Sequence, residues 1–588
     1  MSSQKYTLLK TSLLAVVIVG LFSKYRKSSQ HEQLVPNPSM RQRIRILLIL
    51  PIYYFAKLIK LPFQLCLSLN KIRLASNGID DSQLADEKEL EGMLRRIGGA
   101  GLRSTGSKAH NDVISWIEEE LKAIPSLQVQ TEEIELMGWQ PEKSLCEAGS
   151  LTVVNQAGAE HEPIPIAGVV PYSLPVCGQT GSLVYVPQGV PLSNQDLSGK
   201  MILRDFPLRG IPYILGMLPQ YHKTADLDAD TWRIYERPGL ADQPIHEDLL
   251  QAGRIGAAGV IFIFDLPRQQ VESYWEPHKG THYLVPAAYI GVDEGRFLKE
   301  KALEGYAASL SVDATTFSLV TRNLTGVLPG QTDERIIYIT HTDGNTFVQE
   351  NGPVALLALA KYFANQPLSS RRRTIEFAFN AGHLHISREG SLRHARQLRE
   401  TFDRNNLALT IPVEHLGTRE IEPVSREDNK IGRTLKFTGR GELMFWCAGP
   451  SVPVVKAVKK AVAQRKLDRV LITRGVSKPN LKSAPTFTSF GGIGTYYHNL
   501  LLPTTSLISG PWSLWAPEFG IEAIDIRRLR QQISALGDVF AYLDCVPKEA
   551  ILGDYACYHK DGWKSVPIES PPEQASEHDE SVNSNVKY

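Results

Sequence analysis

Ile336-Ile-Tyr-Ile-Thr-His341-Thr-Asp343, then Glu350-Asn-Gly352 leading into the apolar run 354–363, then Arg373-Thr-Ile-Glu-Phe-Ala-Phe379: this stretch decides the fold. The first and last runs are short, apolar and rich in β-branched or aromatic residues, as buried strands are. The run between them is long enough, and apolar enough, for a buried helix. Strand, helix, strand in this order predicts a βαβ unit and an α/β fold with a mostly parallel central sheet flanked by helices. Ligands of such sheets bind beyond the carboxyl ends of the strands, which is where His341 and Asp343 fall.

Two further strand ends carry comparable chemistry. The strand starting at Arg373 runs into Asn380-Ala-Gly382-His383-Leu-His385. A third, Leu409-Thr-Ile-Pro-Val413, runs into Glu414-His415-Leu-Gly417. A histidine offers one ring nitrogen to a metal while a carboxylate such as Asp343 holds the other, and Glu350 at a helix start can aim at the same point. Histidine or carboxylate at three successive strand ends points to a metal centre.

Outward from this core, residues 82–124 read as helix on the spacing of Leu90, Met93, Leu94, Ile97 and of Val113, Ile114, Ile117, Leu121, with a glycine-rich break at 98–106. Residues 128–320 read as strand-rich, and Gly256-Ala-Ala-Gly-Val-Ile-Phe-Ile-Phe264 as a helix end entering a buried strand. Helices are expected at 454–464, after Pro453, and at 525–543. The Ser-, Glu- and Asn-rich tail from Glu569 has the composition of a disordered segment.

At 588 residues the chain is long enough for two or three domains, and its net charge of +1 carries no nucleic-acid footprint. The six cysteines are scattered without a C-x-x-C pair, which argues against a zinc ribbon and leaves disulfide pairing open. Asn323-Leu-Thr325 fits a glycosylation sequon but falls in an expected strand, so it is read as chance. Near the N-terminus, the apolar run 11–22 is flanked by Lys5, Lys10, Lys24, Arg26 and Lys27, and no small-residue cleavage site follows it. A second run, 46–69, is broken by Pro51, Lys57, Lys60 and Pro62 and suits the membrane interface. Residues 1–80 are therefore expected to associate with a membrane, on a side the charge pattern leaves open. No nucleophile elbow, P-loop or dinucleotide fingerprint occurs.

Gly101-Leu-Arg-Ser-Thr-Gly-Ser107 with the helix after it, and Thr321-Arg-Asn-Leu-Thr-Gly-Val-Leu-Pro-Gly330 followed by 334–343, resemble the di-zinc aminopeptidase family. Leucyl aminopeptidases, glutamate carboxypeptidase, glutaminyl cyclases and the transferrin receptor share that fold. Residues 181–205 and 256–291, including Val285-Pro-Ala-Ala-Tyr-Ile-Gly291, resemble a protease-associated domain. The resemblance implies a peptidase-like domain at 81–145 and 316–550, a β-rich insert at 146–315, and a tail at 551–588. It implies zinc held by His341, Glu350 and Glu414, with Asp343 behind His341 and His383 holding or assisting a second ion.

The resemblance also shows what is altered. Where the family has two adjacent glutamates, the first a general base, this chain has Gly382 and His383. Where the family's last histidine is expected, the region 506–518 has none, and His498 lies upstream. A lost general base costs about 10²–10⁴ in rate, and His385 or Glu389 would have to stand in. The expectation is a zinc-dependent, aminopeptidase-type hydrolase acting on peptides or peptide-like amides. The alternatives are a non-catalytic, membrane-associated binding or scaffold protein that keeps the fold, and a single-zinc transferase resembling glutaminyl cyclase.

Overall fold

The structure, a computed structural model, describes residues 72–561 apart from 156–159, 209, 218–219, 277–281, 386, 388, 428–430 and 476–489. The two apolar N-terminal runs and the tail from Glu569 lie outside the described residues. Among the described residues no helix is long and apolar enough to cross a membrane.

The first two α-helices among the described residues are α1 (Glu87–Gly98) and α2 (Lys108–Lys122). Asp86 and Ser107 cap them, each accepting a hydrogen bond from a backbone N–H of the first turn. The glycine-rich break expected between them is a loop. The central sheet follows, built from β1 (Gln128–Pro141), β2 (Ala314–Leu328), β3 (Thr332–His341), β4 (Arg373–Asn380) and β5 (Leu407–Pro412). Among the described residues their order is β1-β2-β4-β3-β5.

Only one side of this sheet, β4-β3-β5, is parallel. β3 pairs parallel with β4 and with β5, while β2 runs antiparallel to both β4 and β1. The expected mostly parallel sheet is thus mixed. The reason lies in β1 and β2: they form one long antiparallel ribbon, from Gln128 opposite Val327 to Pro141 opposite Ala314, and the insert hangs from its far end. Beyond β5 the sheet continues through a second group, β6 (Met444–Cys447), β7 (Val470–Thr473) and β8 (Ser506–Ile508). The chain around β8 joins the chain around β5 through isolated parallel bridges at Thr410–Thr504 and Val413–Leu507.

Helices cover the sheet. α3 (Gly352–Ala364) is buried along nearly its whole length, as expected of a helix apolar all round. α4 (Glu389–Glu400), α5 (Val452–Gln464), α6 (Gly494–Asn499) and α7 (Ile526–Leu543) follow in order. Pro453 sits in the first turn of α5, and Asp525 caps α7.

Residues 149–312 build a separate sheet centred on four parallel strands, Val176–Tyr185, Lys200–Asp205, Gly259–Ile263 and Ala287–Ile290. One excursion leaves it. Gln220–Lys223 pairs antiparallel with β7, so residues of the sequence insert complete a sheet of the main body. This seam holds a buried ionic network: Arg237 binds Glu442 through both carboxylate oxygens, and Arg469 bridges Asp230 and Glu420.

Two further expectations meet the structure here. Of the segment expected to be a tail, 551–588, Asp554–Asp561 is helical and Tyr555 is buried against His498, and residues from 562 on lie outside the described residues. The sequon asparagine, Asn323, is buried: its side chain accepts from the Ala381 N–H (2.9 Å) and donates to the Gly390 carbonyl (3.2 Å), clamping the chain after β4. The five described cysteines are all free.

Candidate metal centre

β3 ends on His341, and β5 leads into Glu414 and His415 beside it. The motif 101–107 holds the intervening loop. Arg103, fully buried, donates to the carbonyls of Ile97, Gly101, Thr346 and Gln349, and exchanges backbone hydrogen bonds with Gly344. That bracing sets Glu350 at the foot of α3; the Gln349–Glu350 peptide is cis. Asn351 pairs both ways with the backbone of Leu416 at 2.8 Å, locking the start of α3 to the loop after β5.

Each of the four converging side chains is held by one atom and presents another. His341 Nδ1 lies 2.9 Å from Asp343 Oδ1. His415, at a left-handed φ of 58°, donates from Nδ1 to the Ser509 carbonyl at 2.5 Å. Glu350 Oε1 accepts from the N–H groups of Gly352 and His415. Glu414 Oε1 accepts from the Ile493 N–H at 2.7 Å. The other atoms, His341 Nε2, Glu350 Oε2, Glu414 Oε2 and His415 Nε2, face one another without a hydrogen-bond partner, although all four residues are buried.

Their separations have the scale of a coordination sphere. His341 Nε2 is 3.3 Å from Glu350 Oε2 and 3.6 Å from Glu414 Oε2; His415 Nε2 is 3.3 Å and 3.9 Å from the same two oxygens. Two ligands at about 2.0–2.1 Å from a tetrahedral zinc stand roughly 3.3 Å apart. One ligand atom from each of the four residues lies within 4.8 Å of every other. A buried polar atom without a partner is costly, and four of them aimed at one point fit a cation at the centre. This buried His and Glu cluster is compatible with zinc.

The electrostatics agree. Burial opposes a charge on the His341 ring, yet the hydrogen bond to Asp343 and the nearby carboxylates of Glu350 and Glu414 raise its pKa well above the usual histidine range. The same carboxylates attract a metal ion. Burial would push the Asp343 carboxyl up, but His341, His110 and Thr105 hold it down at about 2. Asp343 Oδ2 accepts from Thr105 Oγ1 at 2.5 Å and from the Leu384 N–H at 2.9 Å, so its role is to orient His341.

Four of the residues singled out in the sequence, His341, Asp343, Glu350 and Glu414, meet here. His383 stands at the edge: its Nε2 is 3.8 Å from Glu414 Oε2, its ring centroid is 4.4 Å from that of His341, and Nδ1 meets the Tyr496 hydroxyl at 3.2 Å. His385 is directed elsewhere. Its Nδ1 accepts from the Ser387 N–H at 3.0 Å and its Nε2 donates to the Met137 carbonyl at 2.8 Å. His498 pairs with Tyr555 and stacks on Phe490. The region 506–518 adjoins the cluster without a histidine and contributes the Ser509 carbonyl that orients His415. His415 itself was visible at a strand end but unassigned, because only the turn after Glu414 brings two consecutive side chains to one point.

No protein-family model matches the sequence, and no curated protein matches it. Solved structures do match the fold. The zinc aminopeptidase of Bacillus subtilis aligns over 80% of this chain and 97% of its own, with a TM-score of 0.51 and 18% identity. A peptidase precursor of Shewanella amazonensis aligns over 79% and 97%, with a TM-score of 0.51 and 15% identity. At such identities the likeness is one of fold: the chain has the architecture of the zinc aminopeptidases, with a buried metal-compatible cluster at the carboxyl ends of its central strands.

Proposed function

We propose that this chain is a zinc-dependent hydrolase of peptide or peptide-like amide bonds, working at the cluster of His341, Glu350 and Glu414. The observation that carries this reading is the convergence of buried, unpartnered imidazole and carboxylate atoms at the strand ends of a zinc-aminopeptidase fold. Zinc bound there would supply Lewis acidity, polarising a carbonyl and acidifying a water molecule. Asp343 would keep the His341 ring in register. No carboxylate stands at 382, and the left-handed φ of 68° at Gly382 strains any side chain introduced there. Turnover is therefore expected roughly 10²–10⁴ below that of an enzyme with its general base. A panel of aminoacyl and peptidyl amides, tested with the zinc-loaded full chain, should show slow hydrolysis that His341→Ala abolishes.

A second reading has its own support. Gly382 and the diversion of His385 to Met137 remove the usual base and one of its two stand-ins, which favours a binding or scaffold protein that retains the fold and the ion. Silence across the panel with zinc stoichiometrically bound would select this reading over hydrolysis.

A further inference from the structure

We infer that His415 is a fourth protein ligand, so that the centre is a single-ion site of two imidazoles and two carboxylates. The inference rests on the metal reading above, but not on catalysis.

Three observations carry it. The Nδ1–H of His415 donates to the Ser509 carbonyl, which fixes the tautomer and leaves a lone pair on Nε2. That lone pair faces Glu350 Oε2 at 3.3 Å and Glu414 Oε2 at 3.9 Å, both acceptors. Three acceptor atoms turned toward one another repel unless a cation or a shared proton lies between them. The arrangement is also built rather than incidental: Ser509 Oγ donates to the His415 carbonyl at 3.0 Å and pairs with Thr418 Oγ1 at 2.9 Å, holding the turn in its left-handed conformation. Finally, His415 Nε2 is buried and has no hydrogen-bond partner.

His383 does not share this geometry. Its nearest carboxylate oxygen in the cluster is 3.8 Å away, against 3.3 Å for His415 Nε2. The histidine absent from 506–518 is thus replaced by one from the β5 turn, and the replacement serves the first ion rather than a second. Catalytic zinc sites keep three protein ligands and an open position, whereas structural sites use four. With His415 bound, turnover would require expansion to five-coordination, which accords with a slow enzyme or a silent one.

The test is metal analysis together with zinc-edge X-ray absorption on the purified full chain. One zinc per chain with two imidazoles is expected. His415→Ala should lose one imidazole and weaken zinc binding by more than the roughly 10–100-fold that follows loss of a ligand's supporting partner. His383→Phe should leave both readings unchanged. Two ions per chain, a single imidazole in the native protein, or loss of an imidazole in His383→Phe would overturn the inference. If His415→Ala does not fold, the native spectrum and His383→Phe still decide. A silent substrate panel with this coordination sphere intact would defeat only the hydrolase reading; activity with unaltered zinc affinity in folded His415→Ala would defeat only this one.

Discussion

Single atoms shape the centre, and Gly492 shows how tightly. A Cβ on Gly492 would lie 2.2 Å from Glu414 Oε1 and 2.3 Å from Oε2, so only glycine lets the backbone approach that carboxylate and lets Ile493 donate to it. Gly492→Ala is expected to push Glu414 out of register and weaken zinc binding at least about tenfold, by analogy with the loss of a ligand's support. Gly520→Ala is the control. That glycine also has a positive φ (51° against 46°), and its ψ of −152° is a conformation essentially restricted to glycine, but it has open space around its Cβ, so alanine there is strained without the contact to Glu414. Competition titration with a chromophoric chelator compares them, and equal zinc affinity in the two variants would refute the steric argument.

At the level of elements, the seam between the excursion 210–241 and the main body sets a buried ionic network beside an apolar cluster of Tyr213, Met217, Leu227, Tyr235, Leu443 and Leu471. Arg237 and Glu442 are both almost fully buried and joined by three hydrogen-bond contacts of 2.9–3.2 Å. Burial alone would discharge both groups; on Glu442 it outweighs the pull of Arg237, so the carboxyl pKa sits above its ordinary value. Removing one partner leaves an uncompensated buried charge. Arg237→Met is therefore expected to cost about 3–5 kcal/mol, and the double variant Arg237→Met, Glu442→Leu to recover much of it. Urea denaturation midpoints measure both; a double variant no more stable than the single one would show that packing, not charge, governs the seam.

For the whole molecule, a cluster that joins β3, the start of α3 and the β5 turn should couple zinc binding to folding. Zinc at 100 times its dissociation constant stabilises a protein that binds it only when folded by about 2.7 kcal/mol. Differential scanning calorimetry should give a higher melting temperature with zinc than with chelator, and the difference should vanish in His341→Ala. An unchanged melting temperature would mean that the cluster holds no ion in solution.

The amino-acid sequence by itself determined the βαβ core, because strand and helix are encoded in local apolar patterning. It also pointed to His341, Asp343, Glu350 and Glu414 as one group, because the α/β architecture brings the carboxyl ends of its strands and the helix starts beside them together. Helix boundaries at Ser107, Pro453 and Asp525 were equally local, being matters of capping. What required tertiary structure was everything set by distant partners. The antiparallel β1–β2 ribbon brings together strands more than 170 residues apart, and with it the sheet became mixed. The pairing of Gln220–Lys223 with β7 crosses from insert to body, which no periodicity records. The separation of His415 from His383 and His385 was decided by the Ser509 carbonyl, the Tyr496 hydroxyl and the Met137 carbonyl. A histidine's role depends on what engages its other ring nitrogen, and those partners lie far away in the chain.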